Sequence, residues 1–184
     1  KITCEKIIRY NSDALEDFGA TLLRYFNPIG AHPSGLIGEL PQGVPNNLMP
    51  YITQTAKGIR EKLTVFGNDY STPDGTNIRD YIHVMDLAKA HVKALQFLNH
   101  SACKESVTIN LGTGKGTSVL EIINAFENVN QLKLNYEIGP RRVGDVEQIY
   151  ANSERAKEML GWSCEYSLND ALKHSWEWEK GIDN

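Results

Sequence analysis

The chain alternates between two hydrophobic periods, and the alternation predicts its elements in order. Cys4, Ile7, Ile8, Leu15 and Phe18 recur near helical spacing. Thr21–Phe26 reads as a buried strand, which Asn27-Pro28 ends because proline cannot donate to a ladder. Residues 29–46 carry glycine and proline at loop density. A helix is expected from Asn47 to Arg60, a strand at Leu63–Phe66, and turn chemistry from Gly67 to Asn77. Ile78–Val84 alternates, setting Arg79, Tyr81 and His83 against Ile78, Ile82 and Val84. Asp86 is placed to cap a helix whose inner stripe reads Ala88, Val92 and Leu95. A strand at Val107–Leu111 leads to Ser118-x-x-Glu121, a capping box, with Val119, Ile122, Ile123 and Phe126 at core spacing behind it. A strand at Lys133–Ile138, an irregular polar stretch over Gly139–Tyr150 and helices at Ser153–Leu160 and Leu168–Lys180 complete the order. Gly161 stops the first of these helices and Ser167 caps the second. Strands and helices alternate, so the fold class is α/β.

Composition narrows the function classes. With 184 residues, 41% hydrophobic and 23% charged, the chain has ordinary globular proportions. No apolar run reaches the roughly 18–20 residues that span a bilayer. A formal charge of −4 and a pI near 5.7 give no basic stripe for nucleic acid. Cys4, Cys103 and Cys164 share no metal or redox spacing, which reads as reduced thiols in a cytoplasmic protein. The chain opens at Lys1 inside an amphipathic pattern, and is therefore read as a piece of a longer protein.

The chemistry-bearing motifs are few. Gly112-Thr-Gly114-Lys-Gly116-Thr117 follows a strand and precedes a helix, but it fits neither a phosphate loop nor a dinucleotide fingerprint. It reads as a tight turn that opens a capped helix. The five histidines form no H-E-x-x-H pattern, no G-x-S-x-G elbow is present, and no metal site is expected. Asn99-His-Ser101 matches a glycosylation acceptor by chance spacing. What remains is Asn27, Asn46, Asn47, Arg79, Arg142 and Asp145, all just beyond predicted element ends. Two guanidiniums brought together grip a pyrophosphate bidentately, a carboxylate suits sugar hydroxyls, and Phe66 or Tyr81 is placed to stack on a base. The opposing reading makes Arg141 and Arg142 a solvated loop pair and Arg79 the salt-bridge partner of Asp80 or Asp86. Spacing leaves both open.

Longer blocks bear on the choice. Arg24-Tyr-Phe-Asn-Pro28, Gly30-Ala-His-Pro-Ser-Gly-Leu-Ile-Gly-Glu39 and Pro45-Asn-Asn-Leu-Met-Pro-Tyr51 closely resemble the UDP-glucose 4-epimerases, which are extended short-chain dehydrogenase/reductases. The likeness continues through Arg79-Asp-Tyr-Ile-His-Val84, Asn110-Leu-Gly-Thr-Gly114 and Pro140-Arg-Arg-Val-Gly-Asp145. It implies the C-terminal part of an NAD-binding Rossmann-type protein with the smaller α/β substrate-binding lobe. Residues 1–28 would end the Rossmann-type domain, residues 29–184 would form mainly the UDP-sugar lobe, and roughly 78–98 would pack back on the first part.

The resemblance also implies the site. Lys1 would be the lysine of the family's Tyr-x-x-x-Lys pair, its tyrosine lying upstream, and would contact NAD together with Tyr25 and Phe26. Asn27, Asn47 and Leu48 would contact the substrate, while Thr64, Val65 and Phe66 would hold uracil. Arg79 and Arg142 would take the pyrophosphate and Asp145 the ribose. Ile149 stands near the sugar's 2-substituent, where many members place an aromatic or small residue. The reaction implied interconverts UDP-glucose and UDP-galactose through a 4-keto intermediate with bound NAD, in a homodimer. This piece alone is expected to be inactive. The alternatives are a nucleotide-sugar 4,6-dehydratase or decarboxylase fragment, and a non-catalytic UDP-sugar-binding module.

Overall fold

A computed structural model describes residues 1–100 and 106–182. Cys103 and Ser101 of the Asn99 acceptor motif lie outside the described residues. In chain order the elements are α1 (Ile2–Ala14), β1 (Ala20–Tyr25), β2 (Asn27–Ile29), α2 (Leu48–Ala56), β3 (Leu63–Phe66), β4 (Ile78–Arg79) and β5 (Tyr81–His83). They continue with α3 (Val84–His100), β6 (Ser106–Leu111), β7 (Thr117–Ser118), α4 (Val119–Asn130), β8 (Tyr136–Gly139), β9 (Gln148–Ile149), α5 (Glu154–Leu160) and α6 (Leu168–Gly181). The class is α/β, as the alternation predicts.

Three parallel pairs carry the layers: β1 with β6, β2 with β5, and β3 with β8. A small three-stranded sheet runs β7-β4-β9, antiparallel on one side of β4 and parallel on the other. Parallel strands are covered on both faces, which is why Tyr81, Ile82 and His83 are all buried. Ile82 belongs to a cluster with Leu87, Val107, Ile109, Leu111, Leu160 and Trp162. Tyr81 belongs to another, with Ile52, Val65, Ile122, Ile123, Phe126 and Leu172. Strand β5 thus separates two apolar cores.

Local signals place several ends correctly. Ser118 and Glu121 form the reciprocal capping box of α4, and Ser167 with Asp170 forms that of α6. Gly161 ends α5 in the left-handed conformation. Ile122, Ile123 and Phe126 are fully buried, as their spacing requires.

Four expectations are corrected. The run 78–84 breaks at Asp80 into β4 and β5, which belong to different sheets. The cap of α3 is the His83 ring, whose Nδ1 accepts the Met85 N–H at 3.0 Å. Asp86 instead accepts the N–H groups of Glu165 and Tyr166, at 3.1 and 3.0 Å, and burial pushes its carboxyl up. The inner stripe of α3 is Leu87, Ala90 and Ala94, while Val92 and Leu95 stay 55% and 63% exposed; two stripes of similar apolarity lie on that helix, and packing on β1 chooses one. Strand β8 starts only at Tyr136, because the Leu134 N–H is taken by Glu127 Oε1 at 2.8 Å.

Candidate functional site

The ends of four elements meet around one cleft of about 620 Å³. Asn27 opens β2, and its N–H donates to the Asp80 carbonyl at 3.0 Å. Asn47 and Leu48 stand where α2 begins. The Asn47 side chain leaves its helix uncapped and donates to Glu39 Oε1 at 2.8 Å. Thr64, Val65 and Phe66 lie on β3. Val65 is 2% exposed, so the core holds its side chain and the cleft meets this segment through main chain and the half-exposed Phe66 ring.

Arg79 ends β4, and Arg142 and Asp145 come from the segment that leads into β9. Asp145 holds both guanidiniums: Arg142 reaches its Oδ1 at 3.0 Å and Arg79 the same oxygen at 3.8 Å. Arg79 also donates to the Ile78 carbonyl at 2.8 Å. The Arg142 guanidinium lies 5.9 Å from the Phe66 ring centroid. Asp145 and Arg79 are largely buried and Arg142 is mostly exposed. One carboxylate between two cations leaves the group net positive, with Arg142 as its exposed arm; two guanidiniums so placed have the chemistry to take a diphosphate by charge-assisted bonds.

Asn27, Asn47, Leu48, Thr64, Val65, Phe66, Arg79, Arg142 and Asp145 therefore share one cleft. Lys1, Tyr25, Phe26 and Ile149 do not line it. Lys1 is exposed at the start of α1, Tyr25 is half-exposed at the C-terminal end of β1, and Phe26 lies between β1 and β2 beside Asn27. Ile149 stands opposite Arg79 in the β4–β9 register. Arg79 pairs with neither Asp80 nor Asp86, and Arg141 is not a twin of Arg142: it bonds Asp69 at 2.7 Å and stacks on Tyr70 at 4.1 Å.

The cleft also gathers Tyr51, Arg60, Lys62, Asn77 and Val119, which sequence reasoning missed. Arg60 stacks on Tyr51 at 4.6 Å and Lys62 pairs with Glu137 at 2.6 Å. Two cations just before a strand that carries a half-exposed aromatic ring were the available signal. Burial pushes the Tyr81 phenol up to about 12, against the opposing pull of Arg79, so this wall of the cleft is a neutral hydroxyl.

The glycine turn at 112–114 is spoken for. Asp80 accepts the Thr113 and Gly114 N–H groups, both at 2.9 Å, so these amides do not face a ligand. A larger concavity of about 880 Å³ lies behind that turn and shares only Tyr81 with the cleft. Tyr25 stands at the C-terminal end of β1, the end where parallel strands bind ligands.

Comparison with known proteins gives this arrangement its family. The family model described as GDP-mannose 4,6 dehydratase matches residues 1–175. The chain belongs to that family, within the Rossmann-like extended short-chain dehydrogenases/reductases. Among particular relatives, it is 51% identical over 181 residues to the UDP-glucose 4-epimerase of Homo sapiens, covering 98% of this chain and 51% of the human one. It is 50% identical over 184 residues to that of Bacillus subtilis, covering 100% and 54%.

Among solved structures, the UDP-glucose 4-epimerase from Stenotrophomonas maltophila with bound NAD and formylated UDP-arabinopyranose superimposes with a TM-score of 0.94 at 48% identity, over 98% of this chain and 53% of that one. The Bifidobacterium longum enzyme in complex with NAD+ and UDP gives 0.92 at 45%, over 98% and 53%. The chain spans about half the length of the curated relatives it matches. Among the described residues no helix is long and apolar enough to cross a membrane.

Proposed function

We propose that this chain is the UDP-sugar-binding half of an NAD-dependent UDP-glucose 4-epimerase, and that it holds substrate without turning it over by itself. The carrying observation is the paired Arg79 and Arg142 guanidiniums on Asp145, at the mouth of a cleft whose opposite wall is the Phe66 strand. In this reading the diphosphate displaces Asp145 from Arg142 and lies between the two arginines. Asp145 then turns to the ribose hydroxyls, and the β3 main chain with Phe66 takes the uracil. Asn27, Asn47 and Leu48 border the hexose.

Recognition concentrated on the nucleotide leaves the sugar loosely held, as a reaction that presents both faces of C4 requires. NAD, when bound, accepts and returns the C4 hydride. In the parent protein Lys1 would lower the pKa of an upstream tyrosine by its charge, and Tyr25 and Phe26 would border the nicotinamide. Ile149 would limit the space at the sugar's 2-position. The support for these roles is the motif match and the position of β1 beside the cleft strand β2. A cytoplasmic homodimer paired through α1 fits the exposed Cys4 and Ile7 and the free thiols at Cys4 and Cys164.

Calorimetric titration of UDP into the chain tests the reading. Binding is expected, with no conversion of UDP-galactose. Arg142→Ala is expected to weaken UDP by ~1.5–3 kcal/mol, about 10–150-fold. An unchanged affinity returns Arg142 to a solvated loop. The family model's name favours one second reading, a 4,6-dehydratase. Product analysis of the full-length protein separates the two, since a 6-deoxy-4-keto sugar in place of the 4-epimer would establish the dehydratase.

A further inference from the structure

Asp80 stands between two residues of the cleft, Arg79 and Tyr81, but its side chain is fully buried away from it. Its Oδ1 accepts the Thr113 N–H at 2.9 Å and the Thr113 hydroxyl at 2.7 Å. Its Oδ2 accepts the N–H groups of Gly114 at 2.9 Å and Ala151 at 3.1 Å. A buried carboxylate with four donors is fully satisfied, and losing one donor leaves charge uncompensated in a low dielectric. The approach is close: a Cβ at Gly112 would sit 2.5 Å from Oδ2 and 2.6 Å from the Ala151 Cβ, so only glycine fits there.

These partners come from both chains that flank β4. The sheet β7-β4-β9 is only two residues deep on each side, with Arg79 facing Thr117 and Ile149 at its last rung. One residue further on, Asp80 reaches the turn that leads into β7 through Thr113 and Gly114. It also reaches the chain leaving β9 through Ala151. The segment leading into β9 carries Arg142 and Asp145. It is tied down by the two-residue β9 ladder, the Ile78 N–H bond to the Glu147 carbonyl at 2.9 Å, the Ser71 N–H bond to Glu147 Oε2 at 3.3 Å, the Ser153 hydroxyl on the Gly112 carbonyl at 2.7 Å, and this hook, which alone brings a buried charge to the join.

We propose that Asp80 is a positioning residue for the diphosphate grip: by locking Ala151 against β4 it sets the spacing between Arg79 and the segment that bears Arg142 and Asp145. The role rests on the reading of the cleft as a UDP site, and the experiment keeps the two apart. Asp80→Asn preserves shape, but whichever way the amide turns it sets an N–H₂ against a backbone N–H. UDP affinity is expected to fall roughly tenfold or more, while uridine affinity, measured by competition, falls at least severalfold less, because uracil contacts lie on β3 and only the ribose contact at Asp145 sits on the positioned segment. Thr113→Val removes one of the four donors to Asp80 at nearly constant volume, together with the Lys115 N–H bond to the same hydroxyl at 3.1 Å. It is expected to cost about two- to threefold in UDP affinity alone, and it decides the question if the Asn variant does not fold.

Equal losses for UDP and uridine, or UDP affinity unchanged in both variants, would overturn the role while leaving the cleft's function standing. Absence of UDP binding by the unsubstituted chain would overturn both.

Discussion

The two apolar cores on either side of β5 end differently. The cluster around Phe126 is closed: α2, α4 and α6 surround it, and its outer members are the partly buried Leu48, Tyr51, Val119 and Trp176, of which three line the cleft. The cluster around Ile109 is covered on one flank by α3, α5 and Trp162, but its other flank is not closed. Helix α1 buries only Ser12, and Ile2, Ile7, Leu15, Tyr25, Val92 and Leu95 stay at the surface. The closed core builds the cleft of Arg79, Arg142 and Asp145, and the other carries Tyr25 at its edge. On the proposed function, the nucleotide is held on the closed side and the cofactor is met on the other.

The sharpest way to break this contrast is a cavity in the closed core. Phe126→Ala deletes a fully buried ring packed edge-on to Trp176, and is expected to destabilise the chain by ~3–5 kcal/mol. The cleft should lose UDP with the fold, as read by chemical denaturation and titration in parallel. A loss below about 1 kcal/mol would mean that this core is not what holds the cleft.

The seam between the cores provides a pH test. His83 donates or accepts at Nε2 with His174 Nδ1 at 3.0 Å, stacks on Tyr166 at a centroid distance of 4.2 Å, and accepts the Met85 N–H at Nδ1. Burial, then the charge of His174, pushes it down to about 4, against the pull of Asp170. The unfolded chain keeps the ordinary value near 6.5, so it takes up the proton first. Stability should be full above pH 6.5 and fall as the pH drops from there toward 4. Between pH 6.5 and 5 the lowered carboxylates Glu127 and Asp170 contribute little, because their losses begin only where the unfolded chain takes up protons, at the ordinary carboxylate values below pH 5. His83→Gln should flatten the melting temperature over that interval, and an unchanged slope would assign it elsewhere.

The smallest effect belongs to the open flank. Ile7→Glu replaces a side chain that is 56% exposed, and should alter stability by less than about 0.5 kcal/mol. It should also reduce self-association seen by light scattering at high concentration. A large destabilisation would show that the Ile7 side chain is buried in solution.

Much of this was legible in the sequence because it is local. Capping boxes at Ser118 and Ser167, the left-handed stop at Gly161 and the Ile122–Phe126 stripe depend on residues within one or two turns, so spacing alone carries them. The blocks around Asn27, Asn47, Arg79 and Arg142 point to a nucleotide-sugar site through resemblance, but spacing left Arg79 as easily a partner of Asp80 or Asp86. Only the tertiary structure decided that Arg79 and Arg142 share one carboxylate, because residues distant in sequence are brought together by the three-stranded sheet centred on β4.

The same holds for Asp80. A carboxylate between an arginine and a tyrosine reads as an ion-pair partner until the chain folds and presents it with four donors from two other segments. The choice between the two apolar stripes of α3 was likewise decided by β1, since a helix with two such stripes has no single inner face until something packs on it. The sequence by itself determined which segments form helices and strands and where they stop, since those depend on near neighbours. Which charges meet, and which apolar faces stay open, depended on long-range pairing, where burial and distance set the energies.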